Sequence, residues 1–488
     1  MERLKVSNDK RSLETETGKH FFYLADTAWT LPQRLKWDDV IYYMKKRKSQ
    51  GFNVLQIVAL DPEMDIEMRN PAGVKALINN NLSQPNEAYF RYLDWVLDVA
   101  EEMEFYVVLL PVWGQLVVGE NWNGEQFEKI VTEQNAYEFG RWIGNRYKDQ
   151  TNLIWCLGGD RQPIHKGVDY RDVWRNMAEG LLKGVTGVSC KYNVANQAWR
   201  ELVITYHTCY EVETGNYSTM SYWTEEEAWI SFTMLQSGHG LHTQNYVEVQ
   251  KEYERTHTLP VLDAEPAYEQ MPMGWPITLP LHDEWIVRKR AYWSLFAGSC
   301  GHTYGHSSVW CMISDKEKND ILIYDWYEAL ERPGAYQMKI LRDFFDSIPF
   351  ERCIPNQSIM EHDQLCGKGC LDEHRQAAVD SRGQFAMVYF TNGGSEKIDL
   401  ARLNGERFLA LWFNPRDGKC YDSEHNLCDK VFEVHAEKGW TEFKAPTQGE
   451  KNDWILVIGS EENLFENIGK EVFRGEEMKI EQWPMIFV

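Results

Sequence analysis

Two carboxylates stand where apolar runs give way to polar ones. Asp160 lies in Gly158-Gly159-Asp160-Arg161, and Glu265 lies in Asp263-Ala264-Glu265-Pro266-Ala267-Tyr268-Glu269. A facing pair of this kind is what hydrolysis of a glycosidic bond through a covalent intermediate requires. One carboxylic acid protonates the leaving oxygen while the other, ionised, attacks the anomeric carbon. The two lie about 5–5.5 Å apart when configuration is retained. The acid holds its proton near neutral pH only if burial or a neighbouring negative charge raises its pKa. The nucleophile needs hydrogen-bond donors or a cation to stay ionised. Gly158 and Gly159 permit a sharp turn and close approach of a substrate before Asp160, and Pro266 biases Glu265 toward an extended conformation. Each residue has a bland alternative: Asp160 as a helix cap or a surface partner of Arg161, Glu265 as a loop carboxylate of an acidic protein. Asp263 and Glu269 rival Glu265 as nucleophile, and Asp263 alternates with it on the same face. Glu265 is preferred because it ends its run, next to proline.

Further polar and aromatic residues cluster at the ends of the other apolar runs. Asp26 ends the first and could bind a substrate hydroxyl or cap a turn. His207 could hydrogen-bond the nucleophile or a sugar hydroxyl. Trp113 and Trp310 offer flat faces for a sugar ring, and His302 and His306 could frame the floor of a subsite. Trp29, Gln56 and Glu269 complete the expected substrate-binding set. His362, Cys366, Cys370 and His374 recur every four residues and are all zinc-ligand types. Gly367 and Gly369 interrupt any helix that would align them, so no metal is expected. No His-Glu-x-x-His, phosphate-binding glycine loop or dinucleotide fingerprint occurs, and no cofactor is expected.

The elements that must hold these residues alternate. Eight strand-like runs appear in order: Phe21–Ala25, Asn53–Leu60, Tyr106–Pro111, Leu153–Leu157, Leu202–Thr208, Ser231–Leu235, Pro260–Ala264 and Ser299–Tyr304. Helical patterns separate most of them, at Asp38–Gln50, Tyr89–Met103, Ala136–Tyr147 and Trp285–Phe296. Eight such repeats close a (β/α)8 TIM barrel with its chemistry at the strand C-termini. The fourth and seventh strands then lie on opposite sides of the ring, so their terminal carboxylates can converge. Near Ile348–Gln357 the helical pattern fades. Short alternating runs at Gln384–Thr391, Arg407–Phe413, Val431–Val434 and Trp454–Ile458 predict a smaller antiparallel β-sandwich. The expected division is a catalytic barrel over residues 1–348 and a sandwich domain over 349–488.

Composition bounds the partners. The chain has 488 residues, 51 basic against 74 acidic side chains and a net charge of -23, which repels a polyanion and makes nucleic acid an improbable partner. Twenty Trp and 24 Tyr suit sugar binding but also fill barrel cores. The polar start, Met1 to Lys10, lacks the apolar segment of a secretory leader, and no window reaches the length of a membrane span. With ten scattered cysteines read mostly as reduced thiols, a cytoplasmic protein without membrane partners is expected.

Several motifs in register resemble the apiosidase-like glycoside hydrolases, family 140 and its relatives. They are Phe22-Tyr23-Leu24-Ala25-Asp26-Thr27-Ala28-Trp29, Arg47 with Gly51-Phe52-Asn53-Val54-Leu55-Gln56, Ile154-Trp155-Cys156-Leu157-Gly158-Gly159-Asp160, and Asp263 through Glu269. Trp412-Phe413-Asn414-Pro415-Arg416-Asp417-Gly418 resembles the signature of a sandwich module named for collagen binding. The resemblance covers nearly the whole chain. It implies a retaining-glycosidase barrel with the acid/base after strand four, at Asp160, and the nucleophile after strand seven, at Glu265. Most members of the wider clan carry Asn-Glu at the first position; the Gly-Gly-Asp here is the apiosidase-like form. The activity known in the family is cleavage at apiose in side chains of the pectic polysaccharide rhamnogalacturonan II. The rival expectation is a non-catalytic carbohydrate-binding protein on a decayed barrel, and a weaker third is a metal-dependent hydrolase using His302, His306 or the stripe of His362, Cys366, Cys370 and His374.

Overall fold

The computed structural model describes residues 1–211, 213–274, 278–361, 373–428, 431–434 and 439–471. Eight strands form its central sheet: β1 (Tyr23–Thr27), β2 (Val54–Val58), β3 (Tyr106–Leu110), β4 (Leu153–Gly158), β5 (Ile204–His207), β6 (Thr233–Leu235), β7 (Val261–Asp263) and β8 (Gly301–Tyr304). All neighbours pair in parallel, in the order β5-β4-β3-β2-β1-β8-β7-β6. The remaining seam is bridged by Ser231 N donating to Ile204 O at 2.8 Å and Thr205 Oγ1 donating to Phe232 O at 2.6 Å. Every expected strand run overlaps one of these eight. They are buried on both faces, which is why they read as continuous apolar runs rather than alternating ones.

The four expected helices form at Trp37–Ser49, Glu87–Glu102, Glu133–Arg146 and Glu284–Phe296, and others at Arg171–Thr186, Asn245–Tyr253 and Pro333–Asp346. Inward-facing side chains, among them Tyr23, Val54, Val108, Ile154 and Leu262, fill the barrel. Leu4 and Leu13, from a small three-stranded sheet at the N-terminus, join that cluster.

After the barrel come an antiparallel sheet and a two-stranded partner. Cys353–Pro355, Arg375–Asp380, Phe385–Phe390, Trp454–Gly459, Phe408–Phe413 and Cys420–Tyr421 are neighbours in that order, with Phe432–Val434 also on Phe408–Phe413. Gly393–Asp399 pairs with Trp440–Gln448 across the sandwich. Alternation explains the packing. Ala386, Val388, Phe390, Leu456 and Ile458 face the sandwich core with Ile398 and Phe443. Phe385, Met387, Tyr389, Ile455 and Val457 face the other way and join the barrel's outer core. Helix Glu284–Phe296 is therefore covered on nearly all sides.

The junction is polar as well as apolar. Arg288 donates from Nε and Nη2 to both oxygens of Asp453 at 2.8 and 2.7 Å, and Tyr389 Oη donates to Asp453 Oδ2 at 2.9 Å, all buried. Trp293 Nε1 donates to Thr391 Oγ1 at 2.9 Å. His374 belongs here too: it stacks on Tyr246 with centroids 3.6 Å apart and shares a 2.8 Å hydrogen bond with Gln376. Its three companions in the expected stripe, His362, Cys366 and Cys370, lie outside the described residues. Removing one member of a buried pair strands the other's charge. Arg288→Met should therefore cost about 3–5 kcal/mol in equilibrium denaturation, the range for breaking a buried ion pair.

Candidate active site

Strand β4 ends in three consecutive left-handed residues: Gly158 (φ 88°), Gly159 (φ 98°) and Asp160 (φ 52°). Space demands glycine here as firmly as φ does. A Cβ on Gly158 would stand 2.1 Å from the His207 carbonyl oxygen, and one on Gly159 would stand 2.4 Å from Trp113 Cε3. Gly159 N donates to His207 O at 3.0 Å, and Gly114 N donates to Gly159 O at 3.1 Å, so both neighbouring strand ends lock the turn. Asp is one of the few non-glycine residues that tolerate this region, at a cost of order 1 kcal/mol. Asp160 Oδ1 accepts from Gln236 Nε2 at 2.8 Å. Arg161 Nη1 donates to the main-chain oxygen of Asp160 at 2.8 Å rather than to its carboxylate, so the surface-pair alternative does not form.

Beyond β7, Glu265 is 6% exposed. His207 Nε2 lies 3.2 Å from its Oε2, without the alignment of a full hydrogen bond, and His239 Nε2 lies 3.5 Å from its Oε1. Its two rivals are occupied elsewhere. Asp263 accepts from Ser237 Oγ at 2.8 Å and Asn245 Nδ2 at 2.9 Å. Glu269 accepts from Tyr304 Oη at 2.6 Å and Gly334 N at 3.1 Å.

Asp160 and Glu265 line one cavity of about 1070 Å³, together with Trp29, Trp113, Trp310 and Tyr268. Their proton affinities are displaced in opposite directions. Burial, then the charge of Glu265, raises the Asp160 pKa. Burial also opposes ionisation of Glu265, but its contacts with His207 and His239 outweigh that and hold its carboxyl well below the usual range.

Six of the expected substrate-binding residues do not line the cavity. Asp26 is fully buried and spent on Arg47 Nε and Tyr43 Oη, each at 2.6 Å, so it anchors a helix behind the barrel rather than a sugar. Gln56 donates to Ala264 O at 3.2 Å inside the barrel and so braces the approach to Glu265. Glu269 serves the Tyr304 and Gly334 contacts given above. His302 is packed within the barrel, where burial drops its pKa to about 3. His306 accepts from Ser308 N at 3.0 Å in its own turn. His207 sits behind Glu265, edge-on to Trp29 with centroids 5.3 Å apart. Trp29, Trp113 and Trp310 do line the cavity.

Several cavity residues had no assigned role in the sequence. His239 and Gln236 follow β6, and Tyr268 follows Glu265 in a quoted motif. Glu63 follows β2 and receives Trp113 Nε1 at 3.1 Å, Trp122 Nε1 at 2.8 Å and Gln115 Nε2. Burial and the charge of Asp160 push its pKa up to about 7. Only the spacing Asp61-Pro62-Glu63 after a strand signals it. Because the turn before Asp160 has no room for a methyl group, Gly159→Ala should displace Trp113 or Asp160. Turnover should fall at least about 100-fold, as a misplacement near 1 Å does, in kinetics on protein whose cooperative unfolding is retained.

Comparisons with known proteins agree with this architecture. A family model described as "Apiosidase-like, catalytic domain" matches residues 7–352, and one described as "Putative collagen-binding domain of a collagenase" matches residues 354–459. A solved structure described as a glycoside hydrolase family 5 protein from Bacteroides vulgatus ATCC 8482 superposes with a TM-score of 0.79. It is 26% identical over 94% of this chain and 93% of its own. A second, described as "Glycoside hydrolase", gives 0.77 at 26% identity over 94% and 97%. No curated protein matches the chain. With a catalytic-domain model matched over most of its length, and such neighbours spanning both barrel and sandwich, the chain belongs to the apiosidase-like family and is a glycoside hydrolase.

Proposed function

We propose that the enzyme retains anomeric configuration, with Asp160 as general acid/base and Glu265 as nucleophile, and acts on apiose-containing or related plant-derived oligosaccharides or glycosides. The observation that carries the roles is the opposed displacement of the two proton affinities within one cavity. A general acid must be protonated and a nucleophile ionised at the same pH, and that is the ordering found. Family membership supports the sugar class but does not fix it, because fold and catalytic pair leave sugar identity open.

In the first step, Glu265 Oε attacks the anomeric carbon as the bond to the leaving oxygen breaks. Asp160 delivers its proton to that oxygen, giving the free alcohol and a glycosyl ester of Glu265. In the second step, the Asp160 carboxylate takes a proton from water, the resulting hydroxide displaces Glu265 from the anomeric carbon, and Asp160 is again an acid. His207 and His239 stabilise the Glu265 carboxylate before attack and after release. Gln236 orients Asp160 through Oδ1. The rings of Trp29, Trp113 and Trp310 wall the space a sugar would occupy.

Glu265→Gln should leave no turnover on any glycoside. Asp160→Asn should slow substrates with poor leaving groups about 100- to 10,000-fold, the range of general acid catalysis, while sparing activated aryl glycosides. A panel of aryl glycosides, apiosides included, assays both variants; full activity in both would remove the assignment, and glycan binding without hydrolysis by the wild-type enzyme would favour a binding protein.

The pH profile carries a sign. The competent form has Asp160 protonated and Glu265 ionised. Since the Asp160 pKa is raised, kcat/KM should hold above the usual aspartate range and fall as pH rises through the raised value. Since the Glu265 pKa is lowered, the acid limb should lie below the usual glutamate range. With an activated aryl glycoside, Asp160→Asn should lose the alkaline limb.

A further inference from the structure

A third carboxylate faces the same space, and neither catalytic step uses it. Asp61 Oδ1 accepts from Glu63 N at 2.8 Å and fixes the turn that carries Glu63 into the cavity wall. All three donors that reach Glu63, the indoles of Trp113 and Trp122 and the amide of Gln115, converge on Oε1. Three donors already crowd that oxygen, whose lone pairs accommodate about two good bonds. Oε2 accepts from none of them. The same bonds hold both indole edges against the carboxylate and so orient the two rings. Trp122, 53% exposed, is braced from its face by the Arg161 guanidinium, 3.7 Å from the ring centre. Arg161 spends donors on the main-chain oxygens of Asp160 and Glu120.

The charge of the cavity points the same way. Among the described residues, Glu63, Asp160, Glu248 and Glu265 line it, His239 and His242 also contribute, and no lysine or arginine does. Glu248, which follows β6 across the ring from β2, has a buried Oε2 without a hydrogen-bond partner. A carboxylate, sulfate or phosphate on a bound sugar would find no lysine or arginine to pair with here and would face the ionised Glu265, whereas hydroxyl groups would find open acceptors.

We propose that Glu63 is a specificity-determining residue of this cavity, its open oxygen accepting a hydrogen bond from a hydroxyl of an uncharged sugar lying against Trp113 and Trp122. The inference rests on the glycosidase reading of the same cavity and narrows its substrate to a neutral sugar unit. Glu63→Gln is a close probe. Its amide oxygen can keep the three donors while its NH2 replaces the open acceptor with a donor.

The test uses the full-length enzyme and the p-nitrophenyl glycoside it cleaves fastest. Competitive inhibition is measured with the parent free sugar and with the acid made by oxidising that sugar's primary hydroxyl. In the wild-type enzyme the acid should inhibit at least about 100-fold more weakly than the sugar. Measured above the Glu63 pKa of about 7, where its carboxylate is ionised, KM in Glu63→Gln should rise about 10- to 100-fold, the range for losing a hydrogen bond to a charged group, and the preference for the sugar over the acid should shrink about 10-fold. That preference is a ratio, so a partly unfolded sample does not change it. Glu63→Asp, which keeps the charge but shortens the reach, should raise KM and keep the ratio. An unchanged KM and an unchanged ratio in Glu63→Gln, with Glu265→Gln inactive, would overturn the inference and leave the glycosidase reading standing. Activity in Glu265→Gln would overturn both.

Discussion

Two carboxyl groups buried in one cavity cannot both ionise cheaply, and the barrel resolves that conflict with imidazoles. His207 approaches Glu265 from the end of β5 and His239 from beyond β6, while burial and the charge of Glu265 raise the Asp160 pKa. Burial by itself would raise both acids alike. What separates them is therefore the asymmetry of their neighbours: two imidazoles lie within 3.5 Å of the Glu265 carboxylate, whereas Asp160 accepts from the Gln236 amide and has the charge of Glu265 beside it. The rest of the site follows from keeping that asymmetry in place. Gln56 braces the backbone before Glu265, and Trp29 packs edge-on against His207.

The scaffold spends its own buried charges on holding the ring. Asp26 and Arg47 pair beneath β1, and Arg288 and Asp453 pair where the sandwich meets helix Glu284–Phe296. Neither pair touches the cavity. The first ties β1 to helix Trp37–Ser49, and the second couples the sandwich, just before strand Trp454–Gly459, to the helix between β7 and β8. The sandwich sheet is apolar on both faces because one face is its own core and the other is the barrel's. The turn at Gly158-Gly159-Asp160 shows the same economy. Two strand ends approach so closely that no side chain fits, and Asp160 emerges at the one point where the backbone can turn into the cavity.

The barrel was legible in the sequence because its strands are buried on both faces and its helices are periodic, which are strong local signals. Asp160 and Glu265 were legible as strand-end carboxylates next to glycine and proline. Asp26, Gln56, Glu269, His302 and His306 were placed in the substrate shell on the same strand-end logic, and for them it failed. A strand end offers one residue to the cavity and the next to the layer behind it, and only three dimensions say which. Asp26 looks like a ligand until Arg47, a helix away, is seen against it. Glu63 had the opposite fate. It sits on a loop past β2, outside any periodic element, and its meaning comes from Trp113, Gln115 and Trp122 on another loop. His362, Cys366 and Cys370 fall outside the described residues, while His374 serves the junction between the two domains.

The central claim is that Glu265 becomes covalently bound to the sugar. An activated 2-deoxy-2-fluoro analogue of the glycoside cleaved fastest slows the second step more than the first and lets the ester accumulate. Peptide mass mapping after such treatment should find the fluorosugar on the peptide containing Glu265, at that residue. A label on Asp160, Asp263 or Glu63 instead, or inactivation with no ester formed at all, would contradict it.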